Sequence, residues 1–269
     1  MKIFIDTGKI EEIRQAYSSG IVDGVTTNPS LIKKAIEGSK GVSLREYIIE
    51  ILKIAKGTPV SLEVIGTSYE EMVEEAKKIY EVFNPVAGNV YVKIPVNPVM
   101  QEDDGNIFDG IKAIKTLSGE GIPINCTLVF TPEQALLAAK AGASFVSPFA
   151  GRIDDLIRQK NNKEFEKTDY FPAWGLEDEY SEDDNGIVSG IDLVSQCVEI
   201  FNIYDLQAEV LASSVRNARQ AREAALAGSD IATLPFVVIK ELLNHPKTAE
   251  GMRDFTADIV KEYSDILKK

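Results

Sequence analysis

A lysine inside an apolar segment is the residue of this sequence with the clearest chemical potential. Residues 89–96 read Asn-Val-Tyr-Val-Lys-Ile-Pro-Val, and Lys93 is the only charged residue among them. If the segment is a strand of a barrel, Lys93 shares a face with Tyr91 and Pro95, opposite to the aliphatic residues. Burial disfavours a charged amine, and a neutral amine is the nucleophile that Schiff-base chemistry requires. From this strand alone, a lysine that reaches water at a strand end is an equally good interpretation.

Further polar residues lie at the ends of other apolar segments, where a parallel barrel builds its active site. The set consists of Asp6, Thr26, Asn28, Glu63, Asn125, Thr127 and Ser147, with Phe149 following the last of them. Each could be a helix N-cap, and for Asn28 or Thr131 taken alone capping is the preferred interpretation. Capping does not explain the whole set, because it contains two carboxylates and accompanies a lysine. The set therefore favours a catalytic site.

Two arginines and a serine follow the later apolar segments. Arg152 follows the sixth segment, and Ser214 and Arg216 follow the seventh. Late loops of a barrel lead into helix N-termini and commonly bind phosphate, which guanidinium groups hold through paired, charge-assisted hydrogen bonds. The alternative is ordinary surface arginines at helix starts, which the helix dipole mildly disfavours. We expect a phosphate site.

The elements that must position these residues alternate along the chain. Apolar runs predict strands at residues 2–6, 21–26, 58–65, 89–95, 122–127, 144–148, 206–212 and 230–234. Helical spacing of apolar residues lies between them, for example at 68–83, 131–141 and 215–226. Gly142 and Gly228 follow the last two, and glycine most easily adopts the left-handed turn that ends a helix.

Eight strands, each followed by helical sequence, imply parallel pairing with right-handed crossovers. For 269 residues, the economical closure is a (β/α)8 TIM barrel, with residues 1–269 as a single domain. A doubly wound open sheet is the alternative. It would favour a Gly-x-Gly-x-x-Gly turn after the first strand, whereas only Gly8 follows Asp6.

Three segments fall outside this alternation. Residues 98–109 separate the fourth strand from its helix, and residues 248–267 form an extra C-terminal helix whose apolar stripe must pack on its own barrel or a neighbour's. Residues 161–186, after the sixth strand, form an acidic insertion. We expect a solvated insertion whose rings pack on the barrel flank, with a lid or subunit contact as the alternative. Its aromatic residues are Phe165, Tyr170, Phe171, Trp174 and Tyr180.

Composition excludes several classes of protein. The formal net charge of −13 opposes nucleic-acid binding, although a few arginines in one pocket can still bind a small phosphorylated substrate. Two cysteines cannot form a disulfide framework or a multi-cysteine zinc site, and a single histidine, His245, excludes two-histidine metal motifs. No signal peptide and no membrane span is evident. We expect a soluble, cytoplasmic protein without metal or organic cofactor.

Several motifs resemble the transaldolase family, and the similarity extends over nearly the whole chain. Residues 24–32, Gly-Val-Thr-Thr-Asn-Pro-Ser-Leu-Ile, resemble its signature, and residues 92–95, Val-Lys-Ile-Pro, resemble the segment around its Schiff-base lysine. The segments at 148–154, 214–217 and 224–235 continue the similarity in order. The first motif is long and specific, so it carries most of the assignment.

The resemblance implies a role for each residue. Lys93 would form a Schiff base with a ketose, and Asp6 would move the proton of the hydroxyl that becomes the departing aldehyde. Glu63 with Thr127 would hold a proton-shuttling water. Sugar hydroxyls would be oriented by Asn28, Asn125, Ser147 and Thr26, and phosphate would be bound by Arg152, Ser214 and Arg216. The implied reaction moves a dihydroxyacetone unit from sedoheptulose 7-phosphate or fructose 6-phosphate to an aldose phosphate.

Two alternatives to a transaldolase stay open. The related fructose-6-phosphate aldolases use free dihydroxyacetone and typically have Gln and Tyr where this chain has Glu63 and Phe149, a pair that favours transaldolase. The second alternative is a barrel that binds sugar phosphates without turnover. The family implies a homo-oligomer, a pentamer or decamer. The segment 98–109 and Asn97, in place of the family's Thr or Ser, depart from its pattern and leave the sugar preference open, whereas His245 is interpreted as structural.

Overall fold

The chain folds as a closed (β/α)8 barrel, which confirms the predicted fold class. The computed structural model describes residues 1–37, 41–100, 105–176 and 182–267. All eight strands are parallel, and β1 pairs with both β2 and β8 to close the ring. The strands are β1 Lys2–Asp6, β2 Gly24–Thr26, β3 Val60–Glu63, β4 Val90–Pro95, β5 Ile124–Val129, β6 Phe145–Pro148, β7 Glu209–Ala212 and β8 Ile231–Leu234.

Helices cover the outside of the barrel and follow the strands in turn. They are α1 Ile10–Ser18, α2 Pro29–Glu37, α3 Leu44–Ile54, α4 Tyr69–Ala87, α5 Asp109–Gly119, α6 Pro132–Ala141, α7 Ala150–Lys160, α8 Gly190–Ile203, α9 Ala218–Leu226, α10 Phe236–Glu241, α11 Pro246–Ala257 and α12 Lys261–Leu267. Thr131 caps α6 by accepting a hydrogen bond from the Gln134 amide, and Gly142 ends that helix with φ of 103°. Both features match the sequence analysis. No described helix is long and apolar enough to cross a bilayer.

The second and seventh strands begin three residues later than their apolar runs predict, and the other starts differ by two residues or fewer. The second strand was expected from residue 21 and begins at Gly24, because the Asp23 side chain, rather than a ladder carbonyl, accepts the Ile3 amide at 2.8 Å. The seventh was expected from residue 206 and begins at Glu209. Asp205 has φ of 48° and turns the chain, so pairing starts only beyond it. The β5 strand instead continues two residues past its predicted end.

An aromatic layer fills the barrel interior below the carboxyl ends of its strands. Tyr91 stacks on Phe145 with ring centroids 4.6 Å apart, and Phe4 meets Phe145 edge-on at 5.8 Å. Leu211 and Ile231 complete this cluster. Val90, Val92 and Ile94 pack instead into the core between the strands and the helices. The alternation along β4 therefore places Lys93, two residues after Tyr91, inside the barrel above the aromatic layer.

The acidic insertion is attached to the outside of α7 through a buried arginine. The Arg158 guanidinium lies 5.0 Å from the Phe165 ring centroid and 5.1 Å from that of Phe171. It also donates hydrogen bonds to the carbonyls of Asp169 and Tyr170. Phe171 is buried, whereas Trp174 is 64% exposed. The described part of the insertion thus packs on the barrel flank, and Tyr180 lies outside the described residues.

The C-terminal segment differs from the expected single helix over residues 248–267. It forms α11 and α12, separated after Ala257 by a short irregular stretch. Ile259 and Val260 lie at this break, and β-branched residues have lower helix propensity. The apolar stripe does not pack on its own barrel, because its members are all more than half exposed: Met252, Phe255, Ile259, Tyr263 and Ile266. His245 is the N-cap of α11, consistent with a structural role.

Candidate active site

Lys93 lies inside the barrel next to a carboxylate. The residue is only 7% exposed, and its Nζ is 3.0 Å from Oε2 of Glu63. It also donates a hydrogen bond to the Thr27 carbonyl at 3.2 Å. Glu63 and Lys93 are register partners on β3 and β4, so their side chains project at the same level. The interpretation of Lys93 as a solvated residue at a strand end does not fit this position.

Asp6 is the second carboxylate of the site, and a chain of threonine hydroxyls supports it. Thr26 donates to Oδ1 of Asp6 at 2.7 Å and shares a hydrogen bond with Thr233 at 2.5 Å. Burial raises the pKa of Asp6 above its ordinary value. The Thr26 hydrogen bond and the Lys93 charge oppose this increase, and Glu63 adds to it. The carboxylate is therefore a better proton acceptor than one in water.

Asn125 is held in one orientation by two serines. Its amide nitrogen donates to Ser61 at 3.0 Å, and its amide oxygen accepts from Ser147 at 2.7 Å. Asn125 is also the register partner of Lys93 on the neighbouring strand. The sequence analysis missed Ser61 and Thr233. Alternation along each strand was the available signal, because Ser61 lies two residues before Glu63 and Thr233 two residues after the interior Ile231.

Thr127 has an unusual position among the predicted residues. Its side chain is buried, and its hydroxyl oxygen has no hydrogen-bond partner among the described residues. Buried hydroxyl groups are nearly always hydrogen-bonded, by protein or by water. The Thr127 hydroxyl is thus left to a buried water. Thr127 is the register partner of Pro95, two residues beyond Lys93 along β4.

The polar side chains surround a cavity of about 140 Å³ at the carboxyl ends of the strands. Nine of the twelve predicted site residues line it, together with Ser213 and Thr233. Glu63, Thr127 and Arg216 do not. Asn28 also caps α2, because its amide oxygen accepts the Leu31 amide at 2.9 Å, so the capping and site interpretations both hold. The predicted residues in the lining are Asp6, Thr26, Asn28, Lys93, Asn125, Ser147, Phe149, Arg152 and Ser214.

The three residues expected to bind phosphate are placed differently from one another. Arg152 and Ser214 line the cavity of Lys93, and the Arg152 guanidinium lies 5.3 Å from the Phe149 ring centroid. Arg216 forms a bidentate ion pair with Asp155, at 2.5 and 2.6 Å, and donates to the Lys167 carbonyl at 3.2 Å. It lines a neighbouring cavity of about 510 Å³ that also contains Arg152. Arg152 therefore connects the two cavities.

A glycine permits the close approach of the loops that carry these groups. A Cβ atom on Gly151 would lie 2.3 Å from the Ser214 carbonyl oxygen and 2.7 Å from Nε of Arg216. Ser214 itself has φ of 59°, a left-handed conformation that is uncommon for a residue other than glycine. The N-terminus of α7 and the loop after β7 are thus pressed together where phosphate is expected.

Metal ligands and cysteine thiols are two further kinds of group that can do chemistry in a protein. No group of three or more His, Cys, Asp or Glu side chains in the described part of the chain is arranged to hold a metal ion. Cys126 and Cys197 are buried. Burial raises the pKa of both thiols, that of Cys197 to about 12, and so disfavours the reactive thiolate. Lys93 supplies the amine among the side chains that line the cavity.

Comparison with known proteins identifies the family. The family model of Transaldolase/Fructose-6-phosphate aldolase matches residues 3–268. A probable transaldolase of Thermoplasma acidophilum is 44% identical over 265 residues, which cover 98% of both chains. Probable transaldolases of Bacteroides fragilis and Petrotoga mobilis are 44% and 42% identical over 262 and 268 residues, covering 97% and 100% of this chain and 99% and 98% of theirs. The chain belongs to the transaldolase/fructose-6-phosphate aldolase family.

Proposed function

We propose that the protein is a transaldolase that transfers a dihydroxyacetone unit between a ketose phosphate and an aldose phosphate through a Schiff base on Lys93. The proposal rests above all on one observation: a buried lysine amine 3.0 Å from a carboxylate, in a cavity that a second carboxylate also lines. Membership of the family and the probable transaldolases among its relatives support it. A barrel that only binds sugar phosphates would have no need of this arrangement.

The reaction begins with attack of the Lys93 amine on the ketose carbonyl. The amine must first give up a proton, and Glu63 lies within proton-transfer distance. Loss of water from the carbinolamine gives a protonated imine, which is an electron sink. Thr127 has an unpaired buried hydroxyl and fits the predicted role of holding, with Glu63, the water that carries protons in these steps. This assignment follows the resemblance.

Carbon–carbon cleavage then needs a base for the hydroxyl next to the breaking bond. Asp6 takes that proton, the hydroxyl carbon becomes the carbonyl of the departing aldehyde, and the bonding electrons move into the imine as an enamine. Burial favours proton uptake by Asp6. The acceptor aldose is attacked by the enamine carbon, its new alkoxide regains the proton from Asp6, and hydrolysis frees Lys93. Asn28, Asn125 and Ser147 orient the sugar hydroxyls, and Thr26 orients Asp6.

The substrates we propose carry phosphate. Arg152 and Ser214 lie at one side of the Lys93 cavity, and Arg152 also faces the neighbouring cavity with Arg216. A sugar phosphate attached to Lys93 can extend its charged end toward these residues. Glu63 and Phe149, where the aldolases have Gln and Tyr, favour retention of the three-carbon unit until an acceptor arrives. A carboxylate returns protons that an amide cannot, and Phe149 lacks a hydroxyl to hold a water.

The decisive experiment combines imine trapping with acceptor dependence. We expect borohydride with fructose 6-phosphate to attach the sugar to Lys93, and Lys93→Gln to abolish labelling, with Lys56→Gln as an exposed control. Labelling of Lys93→Gln at the parental level would overturn the mechanism. In a separate assay without borohydride, release of free dihydroxyacetone in the absence of an acceptor would identify an aldolase instead. Saturable sugar binding without any imine would identify a binding protein.

We also propose a homo-oligomer, as the family resemblance implies. The exposed apolar stripe on α11 and α12 supports this, because large exposed apolar patches commonly mark protein interfaces. Phe255→Ser and Ile266→Ser together should lower the mass measured by light scattering. A parental protein that is monomeric at working concentration would contradict the proposal.

A further inference from the structure

A second cavity, of about 500 Å³, lies on the flank of the barrel between α8, α9 and the acidic insertion. It shares no lining residue with the cavity of Lys93. Trp174 from the insertion, Ile191 from α8 and Leu226 from α9 form an apolar wall. Trp174 and Leu226 are 64% and 80% exposed. Large apolar side chains left open beside a concave surface are typical of a ligand site.

One face of α9 supplies the polar groups of this flank cavity. Arg219, Arg222, Glu223 and Leu226 follow the spacing i, i+3, i+4 and i+7 and all line it. The Arg219 guanidinium stacks on the Tyr170 ring, 3.7 Å from the centroid, so its donors point outward from the edge of the stack. Arg219 Nε lies 3.9 Å from Oε1 of Glu223. Arg222 is exposed and forms no ion pair with a carboxylate of the described residues. Two guanidinium groups thus offer a place for an anion.

Glu223, unlike the two arginines, needs a hydrogen-bond donor from the ligand. Its residue surface is only 8% exposed, and the Tyr170 hydroxyl donates to Oε1, but Oε2 has no hydrogen-bond partner in the described part of the chain. Burial and the adjacent Glu223 raise the pKa of Tyr170 to about 12, so its hydroxyl remains a donor. An unpaired buried carboxylate oxygen is costly, and it requires a donor. The other carboxylate of the lining, Asp192, already accepts from the Val188 amide and from Gln196.

We propose that the flank cavity binds an α-amino acid with an aromatic or large aliphatic side chain. The ligand carboxylate would contact Arg219 and Arg222, its ammonium would donate to Oε2 of Glu223, and its side chain would pack against Trp174, Ile191 and Leu226. An anion alone leaves Glu223 without a donor, and a cation alone leaves Arg222 without a partner. A ligand that carries both charges close together on an apolar body provides a partner for the two arginines, for Glu223 and for the apolar wall.

The chain carries its own probe for this cavity, because Trp174 is its single tryptophan. Phenylalanine, added to the full-length protein and excited where only tryptophan absorbs, should change the emission in a saturable manner. We expect 3-phenylpropionate, which lacks the ammonium, and 2-phenylethylamine, which lacks the carboxylate, to bind at least about tenfold more weakly, the loss expected for one charge-assisted hydrogen bond. Equal affinity for all three compounds, or a response that never saturates, would overturn the proposal.

Variants test separately the contacts proposed for the ligand's carboxylate and for its ammonium. Arg222→Gln should weaken phenylalanine binding about tenfold and leave 2-phenylethylamine unchanged, while Glu223→Gln, which can still accept from Tyr170, should abolish the preference for phenylalanine over 3-phenylpropionate. Arg253→Gln, on exposed α11, is the matched control and should behave as the parent. Unchanged phenylalanine affinity in Arg222→Gln would refute the site. Emission that shifts with protein concentration alone would show instead that a second copy covers Trp174.

Discussion

The Oε2 atom of Glu63 lies 3.0 Å from Nζ of Lys93, and the two residues are direct partners in the β3–β4 register. Asn125, on the next strand, is in turn the partner of Lys93. Three side chains therefore project from adjacent strands at one level of the barrel. Their relative positions depend on the backbone ladder, which is rigid, and not on loop conformation. The amine is held beside the Glu63 carboxylate, the proton acceptor that we propose, before any substrate arrives.

This arrangement predicts the effect of replacing Glu63 by its amide. Glu63→Gln keeps the shape of the side chain but removes the group that accepts and returns protons. We expect imine formation, measured by rapid borohydride trapping, to slow by about 10²-fold or more, with KM little changed. Glu81→Gln, on the exposed face of α4, should leave the rate unaltered. Imine formation at the parental rate in Glu63→Gln would remove Glu63 from the proposed proton transfer.

The Thr26 hydrogen bond opposes the effect of burial on the pKa of Asp6 and so widens the pH range in which Asp6 is ionised. Asp6 must be ionised to take a proton, and its pKa is raised by burial but lowered by Thr26. Thr26→Val removes the lowering contribution, so the pKa of Asp6 rises and the acid limb of the kcat profile moves to higher pH. Thr233→Val removes a neighbouring hydroxyl but leaves the Thr26–Asp6 bond possible, and should shift the limb less. Identical profiles for the parent and Thr26→Val would argue against Asp6 as the base.

Arg152 should distinguish phosphorylated from unphosphorylated sugars. It faces both the Lys93 cavity and the cavity of Arg216. We expect Arg152→Gln to raise KM for fructose 6-phosphate about tenfold, the loss of one charge-assisted contact, and to leave that for fructose nearly unchanged. Arg216→Ala should act in the same direction. Equal effects on the two sugars would remove the phosphate assignment, and Arg45→Gln on α3 serves as the surface control.

Asp154 makes stability depend on pH. Burial raises its pKa to about 7, although it accepts hydrogen bonds from the Gly190 amide and from Gln220. Between its unfolded pKa, about 4, and that value, the folded state holds a proton that the unfolded state has released. The free energy of unfolding therefore falls as pH rises through this window, by up to about 1.4 kcal/mol per pH unit from this group.

Urea unfolding at several pH values tests this directly. Asp154→Asn cannot titrate, so its free energy of unfolding should fall less steeply over the same window than that of the parent. Asp258→Asn, at the exposed end of α11, should follow the parent. Parallel pH profiles for the parent and Asp154→Asn would show that Asp154 is ionised throughout.

Two glycines of α5 should respond oppositely to alanine. A Cβ on Gly110 would lie 2.2 Å from the Pro95 carbonyl oxygen and 2.5 Å from that of Val96, both backbone atoms just beyond Lys93. Gly110→Ala should destabilise the protein by about 1–3 kcal/mol in urea unfolding and lower activity by displacing the end of β4. Gly119, in the same helix, has open space around it, so Gly119→Ala should be neutral or slightly stabilising. Equal stability of the two variants would contradict the close contact.

The sequence was informative where one strand decides a side chain's position. Alternation along β4 predicted that Lys93 and Val92 face opposite sides of the sheet. The polar residues at strand ends meet, as expected, at one end of the barrel. Pairings between distant elements were not predictable. Asp155 lies 61 residues from Arg216 and neutralises it, and no local pattern reports such a contact. The sequence did not predict the break between α11 and α12 for a different reason. The apolar spacing continues across the break, although the helical backbone conformation does not.

The aromatic layer of Phe4, Tyr91 and Phe145 has a kinetic consequence. The layer closes the barrel below Lys93, so donor, acceptor and both products must use the same entrance to the Lys93 cavity. In the proposed reaction a departing aldehyde therefore has to leave before the next one can reach the enamine, and we expect no ternary complex. Double-reciprocal plots at several fixed acceptor concentrations should then be parallel, and the first aldehyde released should compete with the acceptor for the modified enzyme.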